Sequence, residues 1–319
     1  MGERAPLYGT EAAPVPPGAA AEWFTGARGA RLRAALLPAS PTPARGSVVL
    51  SGGRTEPIEK YFEVAGELAA RGFVVLMHDW RGQGASQRLL PEPLRGHAVG
   101  YADFLTDYAA LIETFEARLP KPWVAMSHSM GGCLTALALA EGEDRFAAAV
   151  LSAPMLGVLT RPLRPALARL IGGALAGVGL GGALVAGAQL VEPPAPFEAN
   201  TLTHDPRRYA RNVAQIVQHP ELALGPPTWG WLNFALSATA ELQRGDGPPR
   251  VRTPVTVVAA GDDRLVDNAM LRLVASRFPN GEYREIAGAY HELLQETDAI
   301  RAQFWAAFDA ATARIQSPT

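Results

Sequence analysis

The sequence predicts an α/β protein, a mostly parallel, doubly wound sheet interrupted once by a long helical insertion. Three observations carry that prediction. Short apolar runs alternate with amphipathic helical stretches from about residue 31 to 151, and again from 253 to 315. Between these blocks, residues 155–249 show helical and loop patterns but no strand. Finally, residues 122–132, Pro-Trp-Val-Ala-Met-Ser-His-Ser-Met-Gly-Gly, pass from an apolar run through small and polar residues straight into a helix-compatible stretch, Gly132 to Ala140. That spacing leaves room only for a sharp strand-to-helix turn with Ser129 at its apex.

Taken in order, residues 1–25 are rich in proline and alanine and read as a surface tail. Arg31 to Leu37 and Ser47 to Leu50 read as strands, separated by the prolines at 38, 41 and 43. Gly52 and Gly53 follow the second strand, as suits a loop whose backbone must approach another group closely. A helix from Pro57 places Ile58, Tyr61, Phe62, Ala65 and Leu68 on one face and stops at Gly72. Phe73 to Met77 is a continuous apolar run, as expected of a parallel strand covered on both faces. It leads into His78-Asp79-Trp80-Arg81-Gly82-Gln83-Gly84, where Asp79 and Arg81 read as an ion pair bracing a tight loop. Phe104, Leu105, Tyr108, Leu111, Ile112, Phe115 and Leu119 define the next helix. The turn at Ser129, its helix and a strand from Ala147 to Leu151 complete the first block.

The insertion contains the uncharged, glycine-rich stretch 170–191, a Thr203-His204-Asp205-Pro206 turn, a basic helix with Arg207, Arg208 and Arg211, and the knot Thr228-Trp229-Gly230-Trp231. Its length allows a membrane span, but the glycines and flanking prolines favour flexible, apolar lid material. The alternation resumes with a strand from Thr253 to Ala259, a helix carrying Met270, Leu271, Val274 and Phe278, a strand at Tyr283 to Ile286, and a last helix with Ile300, Phe304 and Phe308. The organisation expected is therefore a core of 1–154 and 250–319 with a cap of 155–249.

Composition excludes other classes. Of 319 residues, 48% are hydrophobic and 19% charged, which supports a sizeable core. The net charge of −2 offers no electrostatic case for nucleic acid. The single cysteine, Cys133, rules out an intramolecular disulfide and suits a reducing compartment, so a cytoplasmic location is expected, with peripheral membrane contact through the cap. No His/Cys/Asp cluster has metal-ligand spacing.

Ser127-His128-Ser129-Met130-Gly131 fits the G-x-S-x-G nucleophile elbow, with serine at the first glycine position. Small residues two before and two after the nucleophile let strand and helix approach, and the Met130 amide then points where an oxyanion forms. A serine hydroxyl needs a base held by a carboxylate. An acid follows the Thr253–Ala259 strand, where Asp262, Asp263 and Asp267 compete, and His291 lies after the last strand. Bland roles are expected for several residues: Cys133 in the core, His128 as filler, His97 as a loop hydrogen-bonder, and Arg207, Arg208 and Arg211 on a solvated face. The Arg54 side chain is expected to pair with Glu56.

Five stretches together resemble the α/β-hydrolase family of bacterial lysophospholipases and monoacylglycerol lipases. They are Gly53-Arg54-Thr55-Glu56 with Glu59-Lys60-Tyr61, His78 through Gly84, Ser127 through Gly132, Asp263 through Asn268, and Gly288-Ala289-Tyr290-His291-Glu292. The resemblance implies an α/β-hydrolase fold and a Ser129–His291–Asp263 triad. It also implies an oxyanion hole from the amides of Arg54 and Met130, and no cofactor or metal. Gly53, Trp229 and Trp231 are the expected substrate contacts. The substrate implied is a lipid-like carboxylic ester, with a lysophospholipase favoured over a monoacylglycerol lipase or broad carboxylesterase. A catalytically silent lipid-binding protein of the same fold is the rival from another class.

Overall fold

The computed structural model describes residues 2–40, 43–160, 165–190, 196–313 and 315. Its centre is a nine-stranded sheet whose apolar strands run through the molecule. In chain order the strands are β1 (Arg4–Ala5), β2 (Ala20–Thr25), β3 (Arg31–Leu37), β4 (Gly46–Ser51), β5 (Phe73–His78), β6 (Trp123–His128), β7 (Phe146–Ser152), β8 (Val255–Ala260) and β9 (Gly281–Ile286). They lie side by side as β1-β2-β3-β5-β4-β6-β7-β8-β9. The first three join antiparallel and the rest parallel. β4, β6 and β8 are buried at every residue, which is why their sequences read as unbroken apolar runs.

Helices cover both faces. α1 (Phe62–Ala70) and α8 (Asp298–Ala313) pack on one side, burying Leu68, Phe73, Phe304 and Phe308 in one cluster. α2 (Ala102–Phe115) and α3 (Ser129–Ala140) pack on the other with Tyr108, Trp123, Leu134 and Leu137. α7 (Asn268–Arg277) follows β8. The helix expected from Pro57 starts as a tight 3-10 turn, Ile58–Tyr61, before α1 takes over. That turn sends Glu59 inward, where it receives both terminal nitrogens of the fully buried Arg33, at 2.8 and 2.7 Å.

Of the expected surface tail, residues 2–19 lie mostly at the surface, but residues 20–25 do not belong to it. β2 pairs with β3 along its whole length, and Phe24 sits edge-on to Phe115 at 6.3 Å. The proline and alanine content masked a strand whose buried positions, Ala21 and Phe24, are spaced too widely to show alternation. The segment reaches further. Its Tyr8 carbonyl accepts a hydrogen bond from Gln215 Nε2, and its ring lies 5.2 Å from that of His219, in the insertion.

Asp79 and Arg81 do not pair with each other. Asp79 Oδ2 accepts from Arg33 Nε at 2.8 Å, whereas Arg81 reaches Asp107 on α2 and Asp103. Neighbours in sequence point apart at this turn, so each finds a partner on a different element.

Between β7 and β8 the chain adds no strand to the sheet among the described residues. It forms α4 (Pro165–Gly177), α5 (Pro206–Gln218) and α6 (Trp229–Arg244), of which α6 shares, through Trp231, the cavity that contains Ser129 at the end of β6. Asp205 caps α5 by accepting from the amides of Arg207 and Arg208. Ala168 and Gly172 of α4 are buried, and a Cβ at Gly172 would meet Asn233 Cβ at 3.2 Å, so close helix packing replaces a free-standing span. Residues 170–190 are thus a short helix followed by turns, with Val191 outside the described residues. Among the described residues no helix is long and apolar enough to cross a membrane.

Candidate active site

β6 ends at His128 and α3 begins at Ser129 with no residue between them. Ser129 therefore takes φ +49°, a left-handed conformation that costs a non-glycine residue about 1–3 kcal/mol and holds its hydroxyl outward. Close packing explains the small residues around it. A side chain at Gly131 would collide with the carbonyl oxygens of Ser51 and Gly52, and one at Gly132 with Pro154. Ser127 occupies the usual glycine position without strain, because its Oγ lies 2.7 Å from Thr135 Oγ1 on α3 and both residues are fully buried.

His291 lies in the turn after β9. Its Nε2 stands 2.9 Å from Ser129 Oγ and its Nδ1 2.6 Å from Asp263 Oδ2. An ionised carboxylate only accepts, so Nδ1–H donates to Asp263 and leaves Nε2 free to accept from the serine. Asp263 Oδ1 accepts the amides of Leu265 and Val266 at 2.8 and 3.0 Å. Burial would raise the Asp263 pKa, but the hydrogen bond and charge of His291 and these two amides hold it below the ordinary aspartate value. The competing acids have other tasks. Asp267 caps α7 through the Ala269 amide at 2.9 Å, and Asp262 is exposed.

The loop after β4 passes behind the nucleophile. A Cβ on Gly53 would stand 3.0 Å from Ser129 Cβ, so Gly53 permits close approach and does not line the cavity. The Met130 amide belongs to the first turn of α3, where backbone N–H groups have no intrahelical acceptor. The turn is fixed by Glu56, whose carboxylate accepts from the Gly53 amide and from Tyr61 Oη at 2.6 Å.

Sequence reasoning gave Lys60 and Glu292 no individual role and Glu56 only a pairing with Arg54. Lys60 Nζ donates to Glu56 Oε1 at 2.8 Å and to Glu292 Oε1 at 2.6 Å. Burial would raise the Glu56 pKa, yet Lys60, His128 and Tyr61 pull it down to about 2. Burial would lower that of Lys60, but Glu292 and Glu56 hold it above the ordinary lysine value. The only signal in the sequence was the i, i+4 spacing of Glu56 and Lys60 and the position of Glu292 beside His291.

A cavity of about 270 Å³ opens over Ser129. Met155, Val158, Leu159, Leu202, Leu265 and Val266 make its apolar wall, and Arg54, Thr55, Glu56, His128, Trp231, His291 and Glu292 complete the polar and aromatic part. Trp231 lines it and Trp229 does not, because residues two apart on a helix point to opposite sides. The Arg54 side chain does not pair with Glu56. Its Nη2 donates to the Gly225 carbonyl, and its guanidinium carbon lies 5.2 Å from the Trp231 ring.

His128 is buried, 4.8 Å ring to ring from His291, with Nδ1 3.1 Å from the Ser152 carbonyl; burial drives its pKa down to about 4. His97 Nδ1 lies 2.9 Å from Thr228 Oγ1, and Cys133 is fully buried, its thiol pKa raised by burial. The basic helix is not a solvated face. Arg208 is buried among Glu63, Asp205 and Asp298, and Arg211 reaches Glu63 at 2.6 Å, leaving Arg207 exposed. Among the described residues no cluster of His, Cys, Asp or Glu is arranged to hold a metal.

Residues 42–298 match the family described as serine aminopeptidase, S33. Lysophospholipase L2 of Escherichia coli strain K12 is 35% identical over 275 residues, covering 80% of this chain and 76% of its own. Probable lysophospholipase L2 of Haemophilus influenzae is 30% identical over 282 residues, covering 88% of each. A solved monoglyceride lipase from Saccharomyces cerevisiae superposes with a TM-score of 0.76 at 17% identity, covering 98% of this chain and all of the other, a likeness of fold.

Proposed function

The chain belongs to the serine aminopeptidase S33 family of α/β-hydrolases, and from that premise we propose that it is a lysophospholipase working through Ser129, His291 and Asp263. It is a serine hydrolase of lipid-like carboxylic esters. The observation that carries the residue assignment is the hydrogen-bonded line from Asp263 through His291 to Ser129, ending at the floor of an apolar cavity.

In this reading Ser129 Oγ attacks the ester carbonyl as His291 Nε2 takes its proton, and the Oγ–C bond forms. Asp263, ionised and buried, stabilises the imidazolium. The amides of Met130 and Arg54 receive the oxyanion, each worth about 2.7–4 kcal/mol where measured in comparable sites. The bond to the alcohol breaks as His291 returns the proton to it. Water then attacks the acyl-enzyme with His291 as base, releasing fatty acid and restoring the serine.

Residues 155–249 act as a cap over this site and supply Met155, Val158, Leu159, Leu202 and Trp231 to its wall. Peripheral contact with a lipid surface belongs to the same proposal. Leu159 and Leu265 at the cavity, and Leu167 and Leu170 on α4, are exposed, and Arg169 is the sole charged residue between 165 and 190.

The test is ester hydrolysis by the purified protein on lysophosphatidylcholine, lysophosphatidylethanolamine, monoacylglycerol and a short p-nitrophenyl ester, with fluorophosphonate labelling alongside. Faster turnover of the lysophospholipids is expected. Labelling with turnover of only the neutral esters would replace the lysophospholipase reading with a monoacylglycerol lipase or carboxylesterase.

A further inference from the structure

We propose that the Arg54 guanidinium is an anion site for the substrate's phosphodiester, the group that distinguishes a lysophospholipid from a neutral glyceride. The inference deepens the lysophospholipase reading and rests on it. Catalysis as derived above uses only the Arg54 backbone amide and leaves its charged side chain without a task.

That side chain is part-buried and, like those of Arg88 and Arg95, bonds only backbone carbonyls, in contrast to the buried arginines. Arg33, Arg81, Arg208 and Arg301 are each held by one or more carboxylates. Arg54 forms no ion pair among the described residues; its one engaged donor is Nη2, on the Gly225 carbonyl, and its Nε is buried without an acceptor. Burial pulls its pKa down to about 10, so it remains charged at neutral pH, a partly desolvated cation with no carboxylate paired to it among the described residues. Such a charge is costly unless an anion arrives.

Its placement is built. Gly225 N donates to Leu94 O at 2.7 Å, Gly96 N to Pro226 O at 3.0 Å and Thr228 N to Gly96 O at 2.8 Å, which joins the loop before α2 to the start of α6. Gly96 lies directly against the guanidinium, and the Trp231 ring of α6 is 5.2 Å from its carbon. Both Arg54 and Trp231 line the cavity that contains Ser129. As many covalent bonds separate the Arg54 amide nitrogen from its guanidinium carbon as separate an ester carbonyl carbon from the phosphorus of a 1-acyl lysophospholipid. That equal reach is what one residue needs to meet the oxyanion with its amide and the phosphodiester with its side chain. A guanidinium suits the paired oxygens of a phosphodiester.

The experiment compares kcat/KM for lysophosphatidylcholine and for monoacylglycerol of the same chain length in wild type, Arg54→Met and Arg54→Lys. The ratio of the two is expected to fall about 10–100-fold in Arg54→Met, as for a lost charged hydrogen bond, and to recover in part in Arg54→Lys. A ratio unchanged within about twofold, whatever the absolute rates, overturns the proposal. Wild type offers a second measure should a variant fold poorly. Glycerophosphocholine and glycerol 3-phosphate should compete with a short p-nitrophenyl ester and glycerol should not; equal potency overturns it. Loss of fatty-acid inhibition in Arg54→Met with lysophospholipid selectivity intact would give the arginine to the product carboxylate instead. A wild type that prefers monoacylglycerol removes the lysophospholipase reading as well, whereas a wild-type preference that survives Arg54→Met removes the arginine assignment alone.

Discussion

Lys60 and Glu292 form a buried ion pair of 2.6 Å at the residue directly after His291. The same ammonium binds Glu56, which holds the Gly53 amide, so one side chain joins the loop behind the nucleophile to the loop that carries the base.

Lys60→Met leaves two buried carboxylates facing each other, and breaking a buried pair costs about 3–5 kcal/mol. The melting temperature should fall by several degrees and kcat should fall more than KM rises, because both loops shift against Ser129. Lys60→Arg should restore part of each. Thermal melts and steady-state kinetics check this; a variant that melts early with an unchanged kcat would confine Lys60 to stability.

Ser129→Ala removes the proposed nucleophile without touching the packing at Gly131 and Gly132. Turnover should drop by about 10⁶-fold, as for other serine triads, with the folded state retained. A residual rate above about a hundredth of wild type, measured on any ester the wild type cleaves, would discard the assignment.

Ser127→Ala removes one half of the buried pair with Thr135. The remaining hydroxyl, fully buried, loses that partner at a cost of about 1–3 kcal/mol. Denaturant unfolding should show the loss, and the double change Ser127→Ala with Thr135→Val should cost less than the sum of the two singles. Simple additivity would mean the hydroxyls do not depend on each other.

Burial holds the imidazole of His78 down to about 3 and that of His128 to about 4. Above pH 6.5 these groups are neutral whether the chain is folded or not, and their neutral burial costs nothing extra. As pH falls below 6.5 the unfolded chain takes up protons that the folded one refuses, so stability falls by about 1.4 kcal/mol per pH unit for each histidine until the folded values are reached. Unfolding free energies between pH 7 and 4.5 should decline accordingly, and less steeply in His128→Asn. An identical slope in that variant would show that His128 does not contribute.

The parts of this molecule legible from sequence are those encoded locally. The turn at Ser129 is written in consecutive small residues, and the apolar runs of β4 to β8 follow from burial on both faces. Asp263 could not be separated from Asp262 and Asp267 by spacing, since the difference is which carboxylate faces the His291 loop and which caps α7. Arg208 read as a solvent-facing residue because its partners, Glu63 and Asp298, lie on helices remote in the chain. Asp79 and Arg81 invited pairing by proximity, although their partners come from β3 and α2. β2 was hidden by composition: its register depends on β3, which no local pattern announces.

The contact of Tyr8 with α5 bears on how the chain is made. The hairpin of β2 and β3 joins residues close in sequence and can form as soon as both have left the ribosome. Tyr8 meets Glu59 through its amide and Arg33 through its ring early, but its contacts with Gln215 and His219 form only once those residues have been made. The link between Tyr8 and the insertion therefore closes late, because it joins residues 207 apart in the chain.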